Sequence, residues 1–105
     1  MPYGLKEQVI EKIISVFREN HAIDMVVLYG SRAKESSKPG SDIDLTLKGD
    51  QIDLQELNRI SLALDDLLLP YTFDLSIFRH ISNTDLLEHI DRVGKIFYKR
   101  TDVIQ

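Results

Sequence analysis

Cysteine does not occur in these 105 residues. Disulfides, thiol nucleophiles and cysteine-based zinc sites are thereby excluded, and the lack fits a cytoplasmic protein. Nor is there a surplus of basic residues: 13 Lys+Arg stand against 17 Asp+Glu, a formal net charge of −4. Non-specific binding to nucleic-acid phosphate needs the opposite balance, so no stable association with double-stranded DNA is expected. No apolar run approaches the ~18 residues of a membrane span. Charges interrupt the N-terminal stretch MPYGLKEQVIEKIISVF, which leaves no signal-peptide core. Internal repeats and low-complexity segments are also missing. What is there, 43% hydrophobic and 29% charged residues, suits a soluble intracellular domain and is too apolar for disorder. The length implies one domain over residues 1–105, with a real but small core.

Periodicity gives the order of elements. Leu5, Val9, Ile10, Ile13, Ile14 and Phe17 form one stripe of a helix over 5–19, with Asn20 as its stop. Met25–Tyr29 is a short Val-rich run that reads as a buried strand. Residues 30–41, GSRAKESSKPGS, are polar, contain Gly30, Pro39 and Gly40, and read as a loop with room for one helical turn. Asp42–Leu47 alternates, so Ile43, Leu45 and Leu47 share one face and Asp42, Asp44 and Thr46 the other. Asp53 three residues before Glu56 resembles a capping box, and Leu54, Leu57, Ile60, Leu64, Leu67 and Leu68 carry that helix to Pro70. Residues 72–78 alternate again, with Asp74 and Ser76 opposite Phe73, Leu75 and Ile77. Ser82 or Asn83 caps a last helix ended by Gly94, and Lys95–Lys99 forms a final strand. Lys99 and Arg100 read as a solvated tail. The fold class is α/β (α+β): a small mixed sheet flanked by helices.

One feature exceeds this outline. Asp42 and Asp44 leave the same face of one strand with Cα atoms about 6.5–7 Å apart. Carboxylates of that reach can share divalent ions roughly 3.5–4 Å apart, and Mg²⁺ takes oxygen ligands while leaving positions for water or phosphate. Asp74 joins them if the second and third strands are neighbours. Upstream, Gly30-Ser31 ends a strand, and a helical turn starting at Arg32 would aim free N–H groups at an anion. Arg32, Lys34 and Lys38 against Glu35 make this loop basic within an acidic chain, a local field for phosphate. Alone, an Asp-x-Asp is usually a solvated face and a Gly-Ser usually a turn; the combination in this order carries the signal. His21, His80 and His89 lack metal-type spacing and need no function, and Tyr29 reads as core.

The string Val27-Leu28-Tyr29-Gly30-Ser31-Arg32-Ala33, followed by Ser41-Asp42-Ile43-Asp44-Leu45, resembles the minimal nucleotidyltransferases of the DNA polymerase beta superfamily. Their signature is a hydrophobic strand, Gly-Ser, about ten residues and Asp-x-Asp, with a third carboxylate in a later strand that Asp74 matches. The likeness spans roughly residues 5–100 and implies a polymerase beta palm-like fold. It further implies that Asp42, Asp44 and Asp74 are catalytic and hold two Mg²⁺ ions (or Mn²⁺), with Asp74 helping to deprotonate an acceptor hydroxyl. Gly30, Ser31, Arg32 and Ser41 would bind the nucleotide triphosphate, ATP, as substrate. Many members read Gly-Ser-Arg-Ala-Arg-Gly; here Lys34-Glu35 takes the last two places, and Glu35 adds a negative group beside the expected phosphate.

The resemblance implies transfer of AMP to a hydroxyl. Short members act beside a helical partner of the HEPN class as antitoxin of a toxin–antitoxin pair, with a partner tyrosine as acceptor. The alternative is a non-catalytic antitoxin, a binding module that neutralises its partner by complex formation; Glu35 favours it and the full set of carboxylates opposes it. A small-molecule nucleotidyltransferase is a weaker reading, because its usual second domain has no residues here.

Overall fold

The computed structural model describes residues 2–36, 38 and 40–101; Pro39, expected in the loop, lies outside them. The elements follow the expected order. Helix α1 (Glu7–Arg18) buries Ile13 and Phe17 from its apolar stripe. Strand β1 (Met25–Tyr29) leads through the loop into β2 (Ile43–Lys48). Helix α2 (Leu54–Asp65) starts as predicted: Asp53 Oδ1 accepts the Glu56 N–H at 2.9 Å, which satisfies one orphan donor of the first turn. The reciprocal half of the box is replaced, since the Glu56 carboxylate accepts from Asn20 Nδ2 at 3.0 Å and Arg59 Nη1 at 2.9 Å. Strand β3 (Phe73–Ile77), helix α3 (Thr84–Val93) and strand β4 (Lys95–Lys99) complete the chain. Of the two candidate caps for α3, Asn83 takes the role, accepting the Leu86 N–H at 3.1 Å.

The sheet order is β3-β2-β1-β4. β1 pairs antiparallel with β2 and β4, while β2 and β3 run parallel around the α2 crossover. Each face has its own core. Val26, Leu28, Ile43, Leu45, Leu47 and Ile77 pack under α1 and α2 against Phe17, Ile60 and Leu64. At about 1.5–3 kcal/mol for each large apolar side chain buried, this layer is the main source of stability. On the opposite face α3 packs on β1, with Ile90 against Val27 and Tyr29. There Asp44 is half-buried and Asp74 exposed.

Two expectations need correction. α2 ends at Asp65 rather than running to Pro70: the N–H groups of Leu67 and Leu68 turn back to the carbonyls of Leu64 and Asp65. The apolar spacing continues through this turn, which made it look helical. Leu68 sits in the left-handed region at φ 56 and is 89% exposed. Arg100 is no solvated tail. Its guanidinium donates to the carbonyls of His21 and Ile23, and its own N–H to Asp24 O at 2.9 Å, so it ties the end of β4 to the α1–β1 connection.

Leu68 holds a conformation that costs an L-residue about 1–2 kcal/mol and glycine almost nothing. Leu68→Gly is therefore expected to raise unfolding stability by about 1 kcal/mol, read as a higher urea midpoint at an unchanged slope.

Candidate active site

Register brings the acidic residues together. Tyr29 of β1 stands opposite Asp44 of β2, and Asp44 opposite Asp74 of β3. Adjacent strands lie about 4.8 Å apart, so Tyr29, Asp44 and Asp74 form one row across the sheet. Asp42 is exposed at the entry to β2. Partial burial raises the Asp44 pKa above the ordinary carboxylate value, and the negative charges of Asp74 and Asp42 and a hydrogen bond with Asp74 push it the same way. Burial raises the Tyr29 hydroxyl as well, opposed by the Ser76 hydroxyl and reinforced by the charges of Asp74 and Asp44. Behind this row Thr46 is fully buried, and Ser76 Oγ is buried with no partner in hydrogen-bonding geometry among the described residues.

Gly30 follows Tyr29 at φ 78. The backbone angle favours glycine there, and a Cβ would collide with Asp44 Oδ2 and displace the carboxylate. The Gly30 N–H donates to His89 Nε2 of α3 at 3.2 Å. From Gly30 the loop makes a single compact turn that does not continue into a helix: Lys34 N–H donates to Gly30 O at 3.3 Å, Glu35 N–H to Arg32 O at 3.1 Å and Ser36 N–H to Ser31 O at 3.0 Å. Glu35 lies in the left-handed region at φ 58, the place where many sequences of the resembled family carry glycine. Ser31 is half-buried next to Gly30.

Arg32 is not placed to meet a phosphate. It is 2% exposed. Its Nε and Nη2 donate to Ser41 O at 3.1 and 2.8 Å, and its Nη1 to Tyr3 O at 2.9 Å. Its guanidinium also lies 5.1 Å from the centre of the Tyr71 ring. Its donors therefore close the loop on itself, joining the residue after Gly30-Ser31 to the residue before Asp42. Ser41 presents its carbonyl to Arg32 and its Oγ to the Lys38 N–H at 3.0 Å. Lys34 and Lys38 are the exposed cations of the loop.

Sequence analysis gives His89 no function, and its contact with Gly30 is not visible there. It stands 59 positions from its partner, which is a backbone N–H, so no side-chain spacing announces it. His21 and His80 are exposed and remote from the carboxylate row in sequence register.

The donor set suits a hard cation: carboxylate oxygens only, crowded enough to disfavour their own charge. Asp44 is held against Gly30 in a space that a Cβ would fill. Among the described residues no three His, Cys, Asp or Glu side chains form a ready-made cage for an ion, so the remaining positions on a cation would fall to water or phosphate, as is usual for Mg²⁺.

This strand–turn–strand arrangement is that of a nucleotidyltransferase. The polymerase beta nucleotidyltransferase family model matches residues 11–103, and the chain belongs to that family. Among solved structures, one chain of a toxin–antitoxin complex with AMP-PNP superposes with a TM-score of 0.71 at 25% identity, covering 87% of this chain and 73% of that one. A mutant MntA–HpeT toxin–antitoxin gives 0.70 at 26% identity, over 91% and 74%. A tri-AMPylated Shewanella oneidensis HEPN toxin in complex with MNT antitoxin shares the fold at 0.68 and 21% identity, over 91% and 74%. No curated protein sequence matches the chain. Among the described residues, no helix is long and apolar enough to cross a membrane.

Two predictions follow from this geometry. Arg32→Met leaves several carbonyls without their charged donor; at roughly 1.5–3 kcal/mol for a hydrogen bond to a charged group, a loss of about 3 kcal/mol is expected in chemical unfolding. For Asp44, a carboxyl whose folded pKa is raised binds its proton more tightly when folded, so stability falls as pH rises through the window above the unfolded value of 3.8. Asp44→Asn should therefore melt higher than wild type at pH 7 without metal, and the difference should vanish below pH ~3, where both are neutral at this position.

Proposed function

We propose that this chain transfers AMP from ATP to a hydroxyl of a helical HEPN-type partner, a tyrosine, and so acts as the antitoxin of a toxin–antitoxin pair. The observation that carries the reading is the row of carboxylates ending beside Gly30. Membership of the nucleotidyltransferase family supports it, as do the toxin–antitoxin chains with 25% and 26% identity, one of them in a complex with AMP-PNP.

The roles of the residues follow. Asp42, Asp44 and Asp74 would hold divalent cations, Mg²⁺ or Mn²⁺, with Asp44 beside Gly30 and Asp42 exposed at the surface. When bound, the two ions supply charge neutralisation for the triphosphate and the leaving pyrophosphate. Gly30 and Ser31 face the β- or γ-phosphate from the strand end, with Ser41 at the other end of the loop that Arg32 closes. The acceptor oxygen forms its bond to the α-phosphorus as the α–β bridging bond breaks and pyrophosphate leaves. Asp74, exposed at the end of the row, takes the hydroxyl proton. Positioning and charge stabilisation account for most of the acceleration in such chemistry.

α3 covers β1 on this face, but the carboxylate row stays open at Asp42 and Asp74, where fixed charges act through water and are worth less than in a closed site. Transfer is thus expected to need the partner, which completes the enclosure. Mg²⁺ with ATP should raise the melting temperature, by the equivalent of roughly 2.7 kcal/mol at a hundredfold excess over Kd, and Asp44→Asn should abolish that shift. Incubated with wild type, ATP and Mg²⁺, the partner should gain the mass of at least one nucleotidyl group; with Asp44→Asn it should not. An unmodified partner that both versions silence equally would overturn transfer and leave neutralisation by complex formation.

A further inference from the structure

We propose that His89 is a positioning residue for nucleotidyl transfer, acting on Asp44 through Gly30; this rests on the reading of the carboxylate row as the transfer site. His89 contributes two contacts. Its Nε2 accepts the Gly30 N–H at 3.2 Å, which assigns the ring proton to Nδ1 and leaves Nε2 as the acceptor. Its ring meets Tyr29 edge-on, with centroids 6.2 Å apart. Both contacts lead to the same carboxylate. Tyr29 is the strand partner of Asp44, and the Asp44 carboxyl occupies the space that a Cβ on Gly30 would enter.

Glycine explores φ more freely than any other residue, so a glycine that must stay near φ 78 needs an external hold. The backbone supplies none at this point on the nitrogen side: the Gly30 N–H goes to the His89 ring rather than to a strand neighbour. His89 thus converts the placement of α3 on β1 into a fixed amide plane at the turn, and the turn in turn fixes the space left for Asp44. Groups that orient a ligand from behind typically change metal affinity or activity by about 10- to 100-fold when removed.

Two substitutions separate the bond from the packing. His89→Phe keeps an aromatic edge for Tyr29 and removes the acceptor. His89→Gln keeps an acceptor and removes the ring. With the partner present, His89→Phe is expected to lower kcat about tenfold, with KM for ATP and the urea midpoint close to wild type. Mn²⁺ affinity, measured by electron paramagnetic resonance without nucleotide, should fall by a similar factor, and His89→Gln should recover most of both. The nitrogen-15 spectrum of the wild-type histidines should show His89 unprotonated at Nε2, and the Gly30 amide proton should move upfield in His89→Phe. A proton on Nε2, wild-type kcat and Mn²⁺ affinity in His89→Phe, or a glutamine variant no better than phenylalanine would overturn the proposal. If the wild type bound Mn²⁺ but modified no partner, the transfer reading alone would fall, and the Mn²⁺ affinities with the nitrogen-15 spectrum would still decide for or against His89.

Discussion

The parallel pairing of β2 with β3 sets Asp44 directly beside Asp74, and like charges facing each other across a ladder destabilise it. The rest of the architecture makes that juxtaposition tolerable. Ile43, Leu45 and Leu47 alternate with the polar positions of β2 and are fully buried on the other face, so a shift of one residue would exchange core for carboxylate and is heavily disfavoured. The hydrophobic layer under α1 and α2 thus fixes the register, and the register fixes the acidic row. The fold holds a charge cluster that is poorly satisfied by itself and suited to a cation.

The connections are held by a different means. Three arginines direct their guanidinium groups to main-chain carbonyls: Arg32 to Ser41 and Tyr3, Arg79 to Gly49 and Ile52, Arg100 to His21 and Ile23. Arginine suits this use because its fork of N–H donors is rigid and always charged. In a chain with net charge −4, these cations serve the backbone before they serve any external anion. That leaves Lys34 and Lys38 as the exposed cations of the loop between β1 and β2.

Much of the fold was legible because it follows from local pattern. The Val-rich run ends at Tyr29 where Gly30 stops it, and Asp53 and Asn83 cap helices at the positions that their side chains suggest. The apolar spacing beyond α2 is misleading, because Leu67 and Leu68 continue it through a turn that leaves Leu68 in solvent. At the site, Gly30, Asp44 and Asp74 were legible as residue types at strand positions, while their convergence depended on β2 and β3 being neighbours, which one strand's pattern does not reveal. Arg32 was read by its charge and misplaced: a buried arginine satisfied by carbonyls looks, in sequence, like an exposed one. His89 was invisible for a related reason, since its partner is a backbone amide.

Strand β3 lies at one edge of the sheet, and its surroundings, Thr72-Phe73-Asp74-Leu75-Ser76-Ile77-Phe78, carry a single charged residue. Short apolar, β-prone segments at an open edge invite pairing with another chain, and natural proteins interrupt them with a charge. Asp74 is that charge. The carboxylate proposed to take the acceptor's proton is thus also the charge that interrupts this edge, so solubility and the proposed chemistry would draw on one side chain. A lineage that lost the chemistry would still have reason to keep the aspartate.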